Sequence, residues 1–459
     1  MAQLDFTALK KQQSDFFYSG TTQEVDFRKN ALKKLQGAVQ KYESRIIEGL
    51  RKDLGKSDFE SYAAEIGLVY EELRFHIRNV GKWSRGEKVS TNQVVNFWSS
   101  SRIVPEPFGN TLIIAPWNYP FQLVMMPLIG AVSAGNTAVI KPSEFTPSTA
   151  AVLEEMIASV FDEKYIVVVN GDADTSAALL KLKWDKIFFT GSPRVGQIVA
   201  EAAAGMLTPV TLELGGKSPS VVTETAKIDV AAKRIIWGKM LNAGQTCIAP
   251  DYVLVQEKVK EKFVDRLIYW IEHFYGKTAE KSPDFPRIVN ERHTQRIKEY
   301  IENSDVLYGG KVMEEERFIA PALLDVKDMN VPVMQDEIFG PVLPIVTYND
   351  LEEVIVFINS RPKPLALYLF SEDNKEHRQI LKYTSSGSMG INETVMQVAN
   401  NRLPFGGVGN SGMGNYHGKF SFDCFSHQRS VLKKITWLDI PLRYPPYGNK
   451  LKLVRKFLK

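Results

Sequence analysis

Cysteine and histidine are scarce in this sequence, and their scarcity argues against two kinds of stabilising site. There are two cysteines, Cys247 and Cys424, and six histidines among 459 residues. Two thiols do not make a disulfide framework, and a reduced pair is typical of a cytosolic protein. Neither C-x-x-C nor H-x-x-x-H spacing occurs, so the sequence predicts no metal site of the zinc type.

Long apolar runs are also absent. The most apolar stretch, residues 111–135, is interrupted by Pro116, Asn118, Pro120 and Pro127, which makes it a poor membrane span. The N-terminus carries charges every few residues and has no apolar core of signal-peptide length. The sequence therefore predicts a cytoplasmic protein without a stable membrane anchor.

The net charge of +4 comes from the C-terminus and not from a basic face. Residues 450–459 hold five basic residues and no acidic one, so the rest of the chain has 52 basic and 53 acidic residues, a balance of −1. No nucleic-acid partner is expected. Leu451, Val454 and Leu458 give this tail an amphipathic spacing that could meet an anionic membrane surface. We expect instead a frayed, solvated tail.

Residues 1–85 have the periodicity of helices. Thr21 followed by Glu24 fits a capping box. Apolar residues then recur every three or four positions, a spacing typical of one helix face. They are Leu32, Leu35, Val39, Tyr42, Ile46 and Leu50. We expect this face to pack on a later part of the chain.

From residue 111 the pattern changes to short β-branched runs that alternate with helical segments. The runs predict strands at 111–116, 137–143, 165–171, 186–191 and 209–215. The segments between them predict helices at 148–160, 174–183 and 194–206. This alternation is typical of an α/β protein with a parallel sheet covered on both faces.

A second α/β unit follows, with a boundary expected near residue 217. Its predicted strands are 218–223, 251–256, 341–348, 365–371 and 387–392. Its predicted helices are 229–241, 258–273 and 351–360. We expect a ligand cleft where the units meet, at the carboxyl ends of their strands.

Cys247 and Glu213 lie where a reactive side chain could face that cleft. Cys247, in LNAGQTCIAPD, follows a helix that should end near Asn242 or Gly244. A loop cysteine can serve chemistry, but a free cysteine is as often buried and inert. Glu213, in VTLELGGKSP, ends an apolar strand. A carboxylate there is costly unless it is satisfied structurally or has a function.

Asn118, in APWNYPF, follows the first strand in a loop that two prolines stiffen. A rigid amide is a good oxyanion donor, although an ordinary turn asparagine explains the same pattern. Gly191 and Gly196, in FFTGSPRVG, form a strand, glycine turn and helix start. Such a helix N-terminus can bind phosphate, but the spacing differs from the dinucleotide fingerprint.

Two further pairs could contact a cofactor. Lys141 and Glu144, in IKPSEFT, follow another strand and could hydrogen-bond ribose hydroxyls. Glu337 and Phe339, in QDEIFGPVLP, could meet the cofactor from the second unit. Taken singly, each of these charges is better interpreted as a solvated loop residue. The segment 407–412 matches G-x-G-x-x-G literally, but no strand precedes it and no helix follows, which predicts a loop.

Together these segments resemble the aldehyde dehydrogenase superfamily over nearly the whole chain. The motifs, in the family's order, are APWNYP, KPSE, FTGSPRVG, LELGGKSP, GQTC, EIFGPVLP and PFGGVGNSG. The chain is most similar to the class 3 branch, which includes fatty aldehyde dehydrogenases, through PWNYP, GNYHGKFSFDCFSHQR and RYPPYG. We expect a protein without the extra N-terminal segment of the tetrameric classes and without the C-terminal anchor that membrane-bound members carry.

The resemblance implies an architecture. We expect an α/β fold with a Rossmann-like NAD(P)-binding domain at 1–85 and 103–216, and a second α/β catalytic domain at 217–405. A small bridging arm is expected at 86–102 and 428–445. Class 3 relatives dimerise through this arm, so the resemblance implies a homodimer.

The resemblance also implies a role for each candidate residue. Cys247 corresponds to the nucleophile, Glu213 to the general base and Asn118 to the oxyanion donor. The implied cofactor contacts are Lys141 and Glu144 at the adenosine ribose, Gly191, Ser192 and Gly196 at the pyrophosphate, Glu337 and Phe339 at the nicotinamide riboside, and Trp117. Phe425 is expected to help line the aldehyde pocket, and Cys424 is expected to be an ordinary thiol.

The implied reaction is the oxidation of medium-chain, long-chain or aromatic aldehydes to carboxylic acids with NAD, or with NADP. Cys247 would carry a thioester that water, activated by Glu213, hydrolyses. Glu144 favours NAD because it would repel a 2′-phosphate, whereas Lys141 could tolerate one. Two alternatives stay open: a coenzyme A-acylating dehydrogenase, against which Glu213 argues, and a non-catalytic protein on the same fold.

Overall fold

A computed structural model of the protein describes residues 5–439 and 441–457. Its helices, in chain order, are α1 (Phe6–Tyr18), α2 (Val25–Leu54), α3 (Asp58–Ser61), α4 (Gly67–Trp83), α5 (Gln122–Ala134), α6 (Pro147–Ala158), α7 (Ala173–Leu180), α8 (Pro193–Gly205), α9 (Ile228–Met240), α10 (Lys260–Tyr275), α11 (Glu291–Glu302), α12 (Leu351–Asn359), α13 (Asn374–Tyr383), α14 (Lys419–Cys424) and α15 (Lys450–Phe457).

The strands, in chain order, are β1 (Glu87–Val89), β2 (Ser99–Pro107), β3 (Asn110–Ile114), β4 (Thr137–Lys141), β5 (Ile166–Val168), β6 (Lys186–Thr190), β7 (Val210–Glu213), β8 (Pro219–Val222), β9 (Tyr252–Gln256), β10 (Asp305–Gly309), β11 (Val312–Met313), β12 (Phe318–Ile319), β13 (Ala322–Asp325), β14 (Val342–Tyr348), β15 (Ala366–Phe370), β16 (Ser388–Ile391), β17 (Gly412–Met413) and β18 (Ser426–Lys434). Each strand and helix predicted between residues 111 and 392 is present, with its ends shifted by a few residues.

The helical N-terminus is confirmed, but its predicted capping box is wrong. All six apolar residues of the predicted face are buried in α2, which packs on α6. Thr21 begins a 3-10 turn, and α2 begins at Val25 without a side-chain cap. The reason is Gly20, whose φ of +81° reverses the chain directly before Thr21 and places that residue inside a tight turn.

The first sheet has the strand order β17-β7-β6-β3-β4-β5. Strands β3 to β7 are parallel, and β17 runs antiparallel to β7. Leu112 shares a core with Leu9 of α1 and Val199 of α8, whereas its neighbour Ile113 belongs to the core that contains α2 and α5. The alternation places helices on both faces of the sheet, as predicted.

The second sheet has the order β10-β13-β14-β9-β8-β15-β16, and its strands are parallel apart from β10. The chain leaves the first sheet after Glu213 and enters the second at Pro219, on either side of the predicted boundary at residue 217. It then returns to the first sheet at β17, a connection that the sequence did not predict. A two-residue strand is too short to show a period of two.

A third sheet joins β1, β2 and β18 antiparallel, at the predicted arm. Strand β2 continues to Pro107, five residues beyond the expected end of the arm at 102. Pro105 and Pro107 are accommodated because β1 pairs only with residues 101–103, which leaves one edge of β2 open there.

The C-terminal tail forms α15, so the expectation of a frayed tail is wrong for residues 450–457. Lys450 Nζ donates hydrogen bonds to the carbonyl oxygens of Pro441 and Tyr444, at 2.9 and 2.8 Å, which fixes the start of the helix. Leu451 on this helix is exposed, and Leu458 lies outside the described residues. Among the helices of the described ranges, none is both long and apolar enough to cross a membrane.

Candidate active site

The carboxyl ends of β3, β6 and β7 open into a cavity of about 680 Å³ between the first and second sheets. The cleft expected at this junction is therefore present. The predicted site residues that line it are Trp117, Asn118, Gly191, Ser192, Glu213, Cys247, Glu337 and Phe339. Trp117 and Phe339, which are more than 200 positions apart in the chain, thus line the same cavity.

Cys247 reaches the cavity through an unusual turn. Helix α9 ends at Met240, close to the predicted end, and Asn242 and Ala243 then adopt left-handed φ values of +53° and +51°. This conformation is costly for residues other than glycine and is kept only where the surroundings fix it. The turn brings Cys247 back toward the first sheet as a half-buried free thiol.

The surroundings of Cys247 favour the protonated thiol over the thiolate. Burial raises its pKa, and the nearby carboxyl groups of Glu337 and Glu213 act in the same direction. The backbone N–H groups of Cys247 and Ile248 favour the thiolate and lower the pKa, in the opposite direction. Two carboxyls beside a thiol mean that the charge state of the whole cluster decides when a thiolate forms.

Glu213 is buried at the end of β7, and neither carboxylate oxygen has a hydrogen-bond partner among the described residues. Burial raises the pKa of this carboxyl well above its ordinary value. A structural carboxylate would be satisfied by hydrogen bonds or by a cation. Glu213 instead faces the cavity, and its raised pKa means that it loses its proton, and becomes a base, only at a higher pH than an ordinary carboxyl.

Asn118 is buried in the loop after β3, and its side chain is tied to the loop of Cys247. The Nδ2 group donates to the carbonyl oxygen of Gln245 at 3.1 Å. The backbone oxygen of Asn118 accepts from Lys56 Nζ at 3.0 Å and from Asn242 Nδ2 at 2.7 Å. An amide NH₂ has two donors, so one N–H of Asn118 stays available for an acceptor in the cavity.

A buried ion pair beneath Asn118 was not predicted. Lys56 and Glu65 are fully buried and 2.6 Å apart. The second oxygen of Glu65 accepts from the backbone N–H groups of Phe121 and Gln122, at 2.9 and 3.1 Å. The pair therefore fixes the loop that presents Asn118 at Asn118 itself and at the start of α5. Nothing local in DFESYAAEI distinguishes Glu65 from a solvated helix charge.

The glycine turn after β6 lines the cavity through Gly191 and Ser192. Ser192 caps α8 and is exposed, and Gly191 N donates to the carbonyl oxygen of Glu213 at 3.0 Å. Gly196 has a packing role, because a Cβ there would lie 2.6 Å from Leu214 Cδ2. Gly191 and Ser192 therefore meet the cavity, while Gly196 lets α8 approach the segment after β7.

Lys141 and Glu144 form an ion pair at the end of β4, outside the lining of the cavity. Lys141 Nζ donates to the carbonyl oxygen of Pro142 at 2.8 Å and to Glu144 Oε2 at 3.1 Å. Lys141 is buried, so its interpretation as a solvated loop charge is wrong. Glu144 is exposed.

Glu337 enters the cavity from the second sheet's side and lies against Gly215, where a Cβ would be 2.1 Å from Glu337 Oε2. Burial raises the pKa of Glu337 to about 8, and Asp251 acts in the same direction. Arg296, which was not predicted, donates to the backbone oxygens of Glu337 and Ile338 at 3.2 and 2.8 Å. The loop that holds Glu337 is thereby fixed.

Phe339 and Trp117 form an aromatic contact across the cavity. Their ring centroids are 5.4 Å apart, with the planes 80° to each other. Phe339 has a φ of +51°, so its ring is presented from a strained backbone. The two rings join the loop after β3 to the loop before β14.

Two other predictions have different outcomes. Segment 407–412 is a loop that ends in β17, as predicted, and Ser411 O accepts from Leu214 N at 3.1 Å. Phe425 is fully buried and stacks on Phe188 with ring centroids 5.8 Å apart. It is a core residue and does not line this cavity, because α14 turns it toward the sheet and α5.

Cys424, expected to be an ordinary thiol, also lies outside the lining of the cavity. Its sulfur lies 3.2 Å from Thr211 Oγ1.

Comparison with known proteins agrees with this geometry. The sequence pattern of the aldehyde dehydrogenase family matches residues 10–431. The chain belongs to the aldehyde dehydrogenase family. It is 48% identical over 446 residues to 4,4'-diaponeurosporen-aldehyde dehydrogenase of Staphylococcus aureus, with 97% of each chain covered. It is 44% identical to aldehyde dehydrogenase family 3 member A2 of Rattus norvegicus, covering 96% of this chain and 93% of the relative.

A solved structure shares the whole architecture. The substrate-bound state of Staphylococcus aureus AldH superimposes with a TM-score of 0.97 at 47% identity, covering 100% of both chains. The protein is thus an oxidoreductase that oxidises aldehydes with NAD(P). The predicted family, α/β fold and activity are confirmed, and this aldehyde dehydrogenase uses an NAD(P) cofactor.

Proposed function

We propose that this aldehyde dehydrogenase works through a thioester on Cys247 and releases a carboxylic acid. One observation supports the assignment above the others: Asn118, Glu213 and Cys247 line a single cavity although three separate segments supply them. The unsatisfied carboxyl of Glu213 adds to it, since the desolvation of that group has no structural compensation. A non-catalytic protein on this fold would have no use for such a group.

The residues of the cavity fit a dinucleotide. Ser192 exposes the N-terminus of α8, a 13-residue helix whose dipole suits a pyrophosphate. Glu337, Phe339 and Trp117 face the same cavity and would hold the nicotinamide riboside, with Lys141 and Glu144 at the adenosine ribose. When bound, NAD(P) supplies the hydride acceptor. We assign residues 1–85 and 103–216 to an NAD(P)-binding domain and residues 217–405 to a catalytic domain, with Asn118 and Glu213 reaching the shared cavity from the first of these.

The chain's own groups divide the work as follows. The Cys247 sulfur, as thiolate, forms a bond to the aldehyde carbon. The oxygen that becomes negative is stabilised by the free N–H of Asn118 Nδ2 and by the backbone N–H of Cys247. After oxidation the sulfur holds an acyl group, and Glu213 takes a proton from the water that attacks it. The bond between the acyl carbon and the sulfur breaks, Cys247 leaves as a thiolate, and the acid is released.

The substrates we propose are medium-chain, long-chain and aromatic aldehydes. The test is NADH formation with a panel of aldehydes of increasing chain length plus benzaldehyde, with and without coenzyme A. We expect turnover without coenzyme A and a carboxylic acid as product. Strict dependence on coenzyme A, with an acyl-coenzyme A product, would favour the acylating alternative, which the position of Glu213 argues against.

We also propose a homodimer joined through the arm. The arm exposes an apolar group of side chains, namely Val94, Val95, Phe97, Trp98 and Trp437. The rings of Trp98 and Trp437 lie 5.1 Å apart at 88°, which gives the group a defined shape. Exposed apolar groups of this kind mark interfaces. Light scattering should give the mass of a dimer, and Trp98→Ser should shift it to the monomer, whereas Tyr18→Ser, at another exposed aromatic residue, should not.

A further inference from the structure

Tyr368 connects the segment that carries Cys247 to a second loop, and no step of the mechanism uses it. It lies on β15 and is fully buried. Its hydroxyl donates to the carbonyl oxygen of Ile248 at 2.6 Å. The same hydroxyl accepts from Val395 N at 3.2 Å and from Gln397 Nε2 at 3.1 Å. One phenol oxygen therefore makes three hydrogen bonds to two different segments.

The first of these segments contains the nucleophile. Ile248 directly follows Cys247, and its backbone N–H is one of the two that favour the thiolate form of the sulfur. A hydrogen bond that fixes the Ile248 carbonyl also fixes the orientation of this short segment. Burial raises the pKa of the Tyr368 phenol, and the nearby Cys247 thiol acts in the same direction. The hydroxyl thus stays protonated and keeps its donor role.

The second segment is strained. Val395 has a φ of +62°, a conformation that is uncommon for a β-branched residue and persists only when its surroundings determine it. Its N–H bonds to Tyr368, and the side chain of its neighbour Thr394 donates to the carbonyl oxygen of Arg234 at 2.7 Å. Tyr368 thereby contributes to holding this loop against α9 and the Cys247 segment.

We propose that Tyr368 is a positioning residue for Cys247, an inference that rests on the proposed role of Cys247 as the nucleophile. Its hydroxyl holds the peptide after Cys247 so that the sulfur and the backbone N–H of Cys247 keep the geometry that attack requires. Displacement of a reacting group by about 1 Å can cost about 100-fold in rate. Removal of the hydroxyl should therefore act on the chemical step more than on cofactor binding.

The matched pair of variants is Tyr368→Phe and Tyr348→Phe. Tyr348 is a buried tyrosine on β14 of the same sheet, and its hydroxyl donates to the carbonyl oxygen of Val222 at 3.1 Å. Each variant keeps its ring and loses a buried hydroxyl. We expect Tyr368→Phe to lower kcat about 10-fold or more, with the KM for NAD nearly unchanged. Tyr348→Phe should leave kcat nearly unchanged. Both variants should have a lower melting temperature than the wild type, because each loses a buried hydrogen bond.

A second measurement separates this inference from the proposed function. The rate at which iodoacetamide alkylates Cys247, followed by mass spectrometry across a pH series, reports the position and ionisation of the thiol without any aldehyde. We expect Tyr368→Phe to change this rate profile and Tyr348→Phe to leave it unchanged. Equal profiles and an equal loss of kcat in the two variants would overturn the positioning role. If the proposed function is wrong, the Cys247→Ala variant should oxidise aldehydes at the rate of the wild type.

Discussion

Asn118 Nδ2 donates a hydrogen bond to the carbonyl oxygen of Gln245 at 3.1 Å. This bond joins the loop after β3 of the first sheet to the turn that carries Cys247 in front of the second. Asn242 Nδ2 reinforces it by donating to both Asn118 O and Gln245 O, at 2.7 and 3.1 Å. One hydrogen-bond network therefore holds the proposed oxyanion donor and the segment of the proposed nucleophile. This network fixes the distance between the two segments.

Asn118→Ala removes the proposed oxyanion donor and its bond to Gln245. Loss of one such donor typically lowers kcat about 100- to 1,000-fold. We expect a loss of this size in steady-state NADH formation. NAD binding, measured by protein fluorescence, should change little, because the amide faces the reacting oxygen and not the nucleotide. A variant with nearly full kcat would exclude Asn118 from the oxyanion site.

Cys247→Ala should abolish aldehyde oxidation while NAD still binds, since no other group of the cavity can form the thioester. Cys424→Ala is the matched control. That thiol lies near Thr211 Oγ1, outside the lining of the cavity, and its removal should leave turnover nearly unchanged. Trapping of an acyl group on Cys247 by mass spectrometry would identify the nucleophile directly. Oxidation that persists in Cys247→Ala would refute it.

Glu213→Gln should slow hydrolysis of the thioester more than its formation. A burst of NADH close to one equivalent is then expected before a slow steady state. In the wild type the buried carboxyl has a pKa well above its ordinary value, and only the deprotonated form is a base. The deacylation rate should therefore rise as the pH rises through this pKa. A steady-state rate and pH profile that match the wild type would remove Glu213 from this role.

Glu144→Gln tests the preference between the two cofactors. Glu144 pairs with the buried Lys141 at 3.1 Å, and its carboxylate would repel a 2′-phosphate on the adenosine ribose. We expect the wild type to favour NAD and the variant to gain in kcat/KM for NADP relative to NAD. Glu154→Gln, an exposed change on the neighbouring helix α6, should leave the ratio unchanged. A wild-type preference for NADP would contradict the role given to Glu144.

Glu60→Gln tests the buried charges beneath the active site. Glu60 accepts from Asn242 N at 2.8 Å, and burial raises its pKa to about 7. The folded state then binds more protons than the unfolded state between pH values of about 4.5 and 7. Its stability should fall as the pH rises through that window, by about 3 kcal/mol in total, and stay lower above it.

The glutamine variant lacks this loss because its side chain is neutral at every pH. Its melting temperature relative to wild type should therefore be higher at about pH 8 than at about pH 5. Glu163→Gln, at an exposed position, should show the same difference at both pH values. If the melting-temperature difference from wild type is the same at both pH values for Glu60→Gln as well, the carboxyl of Glu60 does not change its charge between about pH 5 and about pH 8. That result would contradict the raised pKa of Glu60.

The sequence by itself determined the family, the reaction and the alternating strands and helices predicted between residues 111 and 392, but not α5, α11, α13 or β10 to β13. Apolar periodicity is a local property, and the periods of the strands and of α2 could be found without knowledge of their partners. Cys247, Glu213 and Asn118 could be selected because each lies at or just after the end of a strand or helix, within an ordered motif. These features depend on neighbours in the chain.

Only the tertiary structure decided what lies around those residues. Lys56 and Glu65 look like surface charges in the sequence, and they become a buried pair because α5 and the Asn118 loop close over them. Phe425 lies in a motif whose class 3 resemblance suggested the aldehyde pocket, yet its stacking on Phe188 places it in the core. Burial and hydrogen bonding between distant segments follow from the packing of both sheets, and no local pattern encodes the partner of a charge or a ring.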